Sequence, residues 1–549
     1  MSAARVRLIR LMLVAAVPAA IEGAVLRVIE FRSALPISPQ ASAVSPYGSF
    51  HDLRWLLVYH DSWAALVGEA LAAIVFRGLL ASALLALAWP PEVPRPGLRR
   101  LIGRNLVFAA FLLVVLAPWA GLAVVASEVS LPSFVLLELI PLLLLTPVLL
   151  RGGIVADWWR GLPSARLIGW ALVAFLTPML GGALVRLLPD GWQVMLATVA
   201  GAGNGLLWWG LVRAVLHPGR LRWRRVPVAP LLVALLVAAT LVADTGAGNP
   251  GPGTPDRQPL DVLPERGETG HTVIYLDGYD SNYNGRPTPA RPTVTRFSYR
   301  GLDEHGAPRP YSSADTHQSV ESATNLLAVQ VAELHARTGR PVALVGQSEG
   351  ALVIRRYLDR RHPAVDTAVL INPLVRAGRA YYPPPGAKTG WGIGTGWLLR
   401  GMLAAERDLE VVPDSADEPF LRSLIDGAPF YRNETLCPVP GVRMIAFLAS
   451  SDYLVVPPAM YAQIPILEVA GLHGTLLYQR RVSERVVDFI RGRDPISDGD
   501  RRPRLSVGDL TVQGAFGAWQ APALALAVNP VWHPMDGVDA SFHGRRCPG

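Results

Sequence analysis

Along this chain the apolar positions change character once. Up to residue 243 they form runs of about 20, the length a bilayer-crossing helix needs. Such runs cover residues 11–29, 63–89, 101–126, 131–150, 167–188 and 192–216, and a last one, residues 228–243, is short but almost wholly apolar. The pattern predicts about seven spans. Residues 31–62 contain Pro and Ser among polar positions and read as a loop, whose patch Trp55-Leu56-Leu57-Val58-Tyr59 suits the membrane interface. Residues 246–270 are rich in Gly and Pro and read as a linker. Beyond them the apolar runs shorten. Residues 271–277, 294–299, 342–345, 367–372, 442–449 and 464–470 read as strands, and residues 319–336, 351–358 and 482–490 as helices. Strands alternating with helices predict a mostly parallel sheet with helices on both faces.

The expected organisation is therefore a multi-pass α-helical transmembrane domain over 1–245 and an α/β domain over 271–492. A tail over 493–549 is expected to pack on the α/β domain. The connection from Asn372 to Val442, about 70 residues, is long for such a fold. This cap, about 373–441, carries Tyr381-Tyr382-Pro383 and Gly390-Trp391-Gly392, and suits a mobile apolar lid over an acyl pocket.

Composition sharpens the division. The chain is 51% apolar and 17% charged, against roughly 25% charged in ordinary soluble domains. Its net charge is +8, yet no dense basic groove interleaved with aromatics is present, which argues against nucleic-acid binding. The arginines instead flank apolar runs: Arg5, Arg7 and Arg10, then Arg95, Arg99, Arg100 and Arg104, then Arg151, Arg160 and Arg166, then Arg213, Arg220, Arg222, Arg224 and Arg225. The alternate loops near Glu128 and Asp190 carry none. By the positive-inside rule the N-terminus is cytoplasmic and everything after Ala243 lies outside, as in a multi-pass plasma membrane protein. The first run reads as a signal peptide or a first span. Its length and the segments that follow favour the span, and cleavage would not change the side. Glu22, Glu69, Arg77 and Glu138 fall in or near the spans. They suit either a transport path or structural pairs and snorkelling. No Cys/His cluster has metal-ligand spacing, and no P-loop or dinucleotide fingerprint is present, so neither metal nor cofactor is expected.

The candidate chemistry lies in the second half. Gly346-Gln347-Ser348-Glu349-Gly350 joins a buried strand to a helix. A serine in such a turn is held in strained backbone with its hydroxyl exposed over the sheet edge. The hydroxyl needs a base, and the base a carboxylate that sets its tautomer. Asp452 and His473 each follow a predicted strand and supply both. Asp366 precedes its strand and so belongs at the wrong end of a parallel sheet. His335 and His362 are poorly placed rivals to His473, whereas His305 and His317 remain candidates for lining the pocket.

With its strand–GQSEG–helix turn, the acid in SSDYLVVPP and the histidine in GLHG, in that order, the chain resembles the α/β-hydrolase superfamily over about 271–492. The resemblance implies Ser348 as nucleophile, Asp452 as orienting acid and His473 as base. It also implies an oxyanion hole from the backbone N–H of Glu349 and one of Gly278 or Tyr279. Gln347 stands where many lipases carry histidine, and no HGGG-type loop is present, which leaves the substrate class open. The implied activity is carboxylic ester hydrolysis through an acyl-serine, on a lipid-like or small ester beside the lipid bilayer. A second alcohol replacing water would make the same site an envelope acyltransferase. The non-enzyme alternative is a membrane scaffold or transporter with a hydrolase-like domain. Cys437 and Cys547 both follow the last expected span. On an oxidising side they would form one disulfide between cap and tail; otherwise they are free thiols.

Overall fold

The computed structural model describes residues 3–29, 31–126, 135–189, 191–217, 226–236, 270–285, 294–360, 362–374, 383–408, 419–449, 463–469, 474–493, 511, 514–522 and 547. Among these, five helices are long and apolar enough to cross a membrane: Ala4–Val28, Trp63–Ala88, Leu98–Gly121, Ala165–Leu187 and Gln193–Leu216. The N-terminal half is thus a multi-span, membrane-embedded helical region. Two expected spans are described only in part. Residues 131–150 hold a π-helical turn, Val135–Leu139, and then a ten-residue helix, Ile140–Leu149, with Pro147 inside it. The turn and the helix are continuous, and residues 131–134 lie outside the described residues. Of residues 228–243, only the helical stretch 228–236 is described.

The spans pack through small residues, as helices do where lipid offers no hydrophobic drive between them. Gly201 and Gly205 lie against the N-terminal helix: a methyl on Gly201 would sit 2.6 Å from the Ala19 Cβ, and one on Gly205 2.9 Å from the Met12 Cα.

The stretch expected to be an exposed loop is buried in this bundle instead. Arg32–Ser42 is a 3-10 segment and Tyr47–Val58 a helix, and both are buried along most of their length. The Phe31 ring meets Trp55 and Tyr59 edge-on, at 6.0 and 6.1 Å, so the chain enters and leaves at one place. At the far turn the Tyr47 hydroxyl donates to the Ala171 carbonyl at 3.1 Å, inside a span. Irregular backbone survives at such depth only where its polar groups find protein partners. Pro36 and Pro39 lack N–H donors to satisfy. The carbonyls are met from other elements: Asn204 donates to Pro39 at 2.7 Å, Trp208 to Ser42 at 3.1 Å and Arg77 to Ala41 at 3.0 Å. Arg77 also donates to Asp52 at 2.8 Å, and His51 lies 2.9 Å from both Asp52 and Glu22. Glu22 and Arg77, on separate spans, are thereby joined through the hairpin.

Part of the tail lies in the same bundle. Trp519 is buried, stacked on Phe175 at 4.7 Å and edge-on to Tyr47 at 5.1 Å. Arg54, fully buried, donates to the carbonyls of Ala518 and Gln520 at 3.0 and 2.7 Å. A buried guanidinium needs such acceptors, and this segment supplies them. Cys547 is disulfide-bonded to Cys437, with Cα atoms 5.4 Å apart. The tail therefore touches both halves.

The second half is built on six parallel strands: β1 (Thr272–Leu276), β2 (Val294–Arg296), β3 (Val342–Gln347), β4 (Val365–Ile371), β5 (Arg443–Ala449) and β6 (Ile466–Val469), in the order β2-β1-β3-β4-β5-β6. Side chains alternate across it. Val273, Val345, Val369 and Phe447 pack on helix Arg480–Ile490, while Ile274, Leu344, Leu370 and Ala446 face the side of helices Val320–Thr338 and Glu349–Leu358.

The insertion between β4 and β5 carries helices Ile393–Asp408, Pro419–Asp426 and Ala428–Glu434. Its first part sits on the returning end of the buried hairpin. Gly392 N–H donates to the His60 carbonyl at 2.6 Å, Gly390 N–H to that of Asp61 at 2.8 Å, and the Thr395 hydroxyl to that of Leu57. Gly394 N–H donates to His60 Nε2 at 2.7 Å, and His60 Nδ1 donates to the Leu56 carbonyl at 2.6 Å, which fixes a neutral imidazole.

Burial holds the His60 pKa below its ordinary value, which is about 6.5. The undocked state then takes up the proton more readily, so the seat is intact above that value and weakens as pH falls below it. Amide exchange over residues 383–408, corrected for its intrinsic pH dependence, should quicken as pH falls from 8 to 5. His60→Gln should abolish that trend, and a pH-indifferent wild type would refute it. In the tail, Trp519→Ala should cost about 3–5 kcal/mol, seen as a lower unfolding midpoint in nanodiscs. An unmoved midpoint would show that tail docking adds nothing.

Candidate active site

Three residues other than glycine have positive φ among the described residues: Asp280 at 58°, Ser348 at 53° and Asn372 at 46°. All three follow the carboxyl ends of adjacent strands, β1, β3 and β4. Backbone of this kind costs on the order of 1–3 kcal/mol per residue and persists only where the surroundings impose it. Binding sites of open parallel sheets form at this same edge.

At the centre, β3 ends at Gln347 and helix Glu349–Leu358 begins one residue later, so Ser348 alone turns the chain. Its N–H donates to the Ile371 carbonyl at 2.8 Å, which ties the turn to β4. The flanking glycines make the turn possible by close approach. A methyl on Gly350 would lie 2.6 Å from the Leu276 carbonyl oxygen, and one on Gly346 2.5 Å from that of Gly350. Ser348 is half-buried.

Gly278 brings the loop after β1 against this turn; a Cβ there would lie 3.0 Å from Ser348 Cβ and 3.5 Å from its Oγ. Glu349 is fully buried. Burial raises the pKa of Tyr299, and the Glu349 carboxylate raises it further. The loop itself is held from below and from the side. Asp277 pairs with Arg296 and accepts the Tyr275 hydroxyl at 2.6 Å, while the Tyr299 hydroxyl donates to the Asp277 carbonyl at 2.8 Å. Asp280 N–H donates to Thr316 Oγ1 at 3.0 Å, and the Asp280 carboxylate lies 2.6 Å from His317 Nε2. The Tyr279 ring stacks on His317 at 4.5 Å and on Phe420 at 5.0 Å.

The rival residues separate clearly. Asp366 is paired with His271 at 2.8 Å, at the amino end of the sheet and away from Ser348. His335 Nδ1 lies 2.7 Å from the Arg340 carbonyl on an exposed surface, and His305 is exposed. His317 is buried beside Tyr279 and tied to Asp280. No spacing rule links residues 37 apart across a strand, so that pairing was not legible from the sequence. Asp452 and His473 lie outside the described residues. Gly474, directly after His473, and Ala449, three residues before Asp452, are described. Gln347, next to Ser348, donates from Nε2 to the Gly474 carbonyl at 3.2 Å. The N–H of Ala449, the last residue of β5, donates to Asn372 Oδ1 at 2.7 Å. Among the described residues no three His, Cys, Asp or Glu side chains gather as a metal site.

The fold is α/β-hydrolase-like, a parallel sheet with inserted helical segments behind a multi-span helical region, and it is consistent with hydrolase chemistry in general. No protein-family model matches the chain, and no curated protein matches it.

The strain at Ser348 is open to measurement. Ser348→Ala and Ser348→Gly both remove the hydroxyl, but only glycine takes a φ of 53° freely. Ser348→Gly should be the more stable variant by about 1 kcal/mol, net of the greater unfolded-state freedom of glycine. Equal unfolding midpoints would mean that the turn holds no strain.

Proposed function

We propose that the protein is a membrane-tethered serine hydrolase that cleaves carboxylic esters, with Ser348 as nucleophile, His473 as base and Asp452 as the acid that orients it. The observation that carries this reading is Ser348 itself. It is a lone positive-φ serine between a buried strand and a helix, at the carboxyl edge of a parallel sheet, beside a backbone loop brought close by Gly278. The Gln347–Gly474 hydrogen bond supports His473, because it ties the residue before the serine to the residue after the histidine. The Asn372–Ala449 bond supports Asp452 less directly, since it draws the end of β5 to the same edge three residues earlier.

In this reading His473 takes the Ser348 proton as Oγ attacks the ester carbonyl. The backbone N–H of Glu349 and one from Gly278 or Tyr279 hold the oxyanion, and one such donor contributes roughly 3 kcal/mol. His473 then gives the proton to the departing alkoxide, leaving an acyl-serine and a free alcohol. Water, deprotonated by the same histidine, attacks the acyl carbon and releases the carboxylic acid and Ser348. The alternating arginine-flanked loops support an extracytoplasmic α/β domain, and the Cys437–Cys547 disulfide suits that side.

A membrane-impermeant fluorophosphonate applied to intact cells tests both parts. Wild type should be labelled and Ser348→Ala should not. His473→Ala and Asp452→Asn should label about a thousandfold more slowly. Labelling only after lysis would overturn the orientation. A folded wild type that is never labelled would overturn the hydrolase.

A further inference from the structure

We propose that the ester reaching Ser348 is one that never leaves the bilayer: a long-chain lipid ester taken sideways from the membrane at the rim formed by helices Trp63–Ala88 and Leu98–Ala126. This rests on Ser348 being the nucleophile, as proposed above.

The insertion between β4 and β5 spans the two places that matter. At one end Phe420 stacks on Tyr279, next to the glycine that abuts Ser348. At the other, Gly390 to Thr395 are bonded to residues 57–61, where the buried hairpin meets helix Trp63–Ala88. Two described parts of one insertion thus touch the loop beside the serine and the bundle.

That seat is at the lipid-facing rim. A methyl on Gly394 would lie 2.6 Å from Leu66 Cδ2 and 3.5 Å from the Trp63 ring. Trp63 is 47% exposed, and Val67 and Leu71, one and two turns below it, are exposed as well. This i, i+4, i+8 stripe is the face a span shows to acyl chains. Leu398, one turn further along the insertion, is 44% exposed, and its Cδ2 would lie 3.1 Å from a Cβ on Gly121 of the neighbouring span. Trp63 and Leu398 therefore continue the lipid-facing stripe upward onto the insertion.

The levels also agree. A tryptophan that opens a span sits at the headgroup boundary, which is where a membrane lipid carries its ester carbonyls. A chain lying along Val67 and Leu71 presents its ester at the height of Trp63 and Leu398, beneath the insertion that leads to Ser348. A water-soluble ester needs none of this surface. Trp63 and Leu398 are assigned as specificity-determining residues for a bilayer-held acyl chain.

The test uses the full chain reconstituted in phosphatidylcholine vesicles. Two fluorogenic substrates are compared, a long-chain ester embedded in the same vesicles and a water-soluble butyrate ester. Wild type should turn over the embedded ester, and the ratio of kcat/KM for embedded over soluble ester should fall about tenfold in Leu398→Asp and in Trp63→Ala, the loss expected for one large apolar contact. Fluorophosphonate labelling of Ser348 in each variant shows that the site is folded. Wild type acting on the butyrate ester but not the embedded one would overturn the proposal, as would an unchanged ratio in both labelled variants. If wild-type Ser348 is never labelled and neither ester is cleaved, the hydrolase reading beneath it fails instead.

Discussion

A buried peptide group must be hydrogen-bonded, and in this protein that requirement is met far from where it arises. Residues 31–59 run through the apolar bundle as a 3-10 segment and a helix, and their carbonyls cannot turn to water. Asn204, Trp208 and Arg77, each on a different turn of a span, supply the donors. Breaking one such contact would strand a polar group in a setting where that costs several kcal/mol. The hairpin thus fixes the spans relative to one another as firmly as the spans enclose it.

From that hairpin the order passes outward. Its returning end presents the carbonyls of Leu57, His60 and Asp61 and the ring of His60, and these seat the insertion by backbone-directed bonds. The insertion then places Phe420 on Tyr279, in the loop beside Ser348. The strained edge of the sheet is held from three sides: by the Asp277–Arg296 pair below, by Thr316 and His317 beside it, and by the insertion above. Strain at three strand ends is tolerable because the two faces of the sheet are fully packed, and a packed core does not relax to relieve its rim. The tail closes the arrangement, with Trp519 in the bundle and Cys547 bonded to Cys437 just before β5.

The ionisable groups inside the helical region acquire a structural account. Arg77 is paired with Asp52, Glu22 with His51, and Arg54 is spent on tail carbonyls. Buried pairs of this kind contribute little net stability, because desolvation offsets their attraction. In the observed docking they join the hairpin to the spans and to the tail.

How much of this was legible follows from the range of each interaction. Helical and strand periods are local, so the long apolar helices, the six strands and the turn at Ser348 could be read from neighbouring residues alone. In the fourth apolar run the described helix passes from a π-helical turn, Val135–Leu139, into an α-helix, Ile140–Leu149, with Pro147 inside it, a change of winding that apolar composition does not announce. The segment 31–62 misled for a different reason. Pro, Ser and Gln read as solvated loop when their partners are unknown, and those partners are Asn204, Trp208 and Ala518, distant in sequence. The same holds for Trp519 in the bundle and for His317 on Asp280. The sequence by itself determined a membrane-embedded helical half, a parallel α/β half and a strained serine between β3 and its helix, because each depends on residues within a few turns of one another. Only the tertiary structure decided that a polar stretch is buried, that part of the tail packs in the bundle and that the insertion rests on residues 57–61 at the end of the bundle. Those depend on hydrogen-bond partners and packing surfaces that no local period encodes.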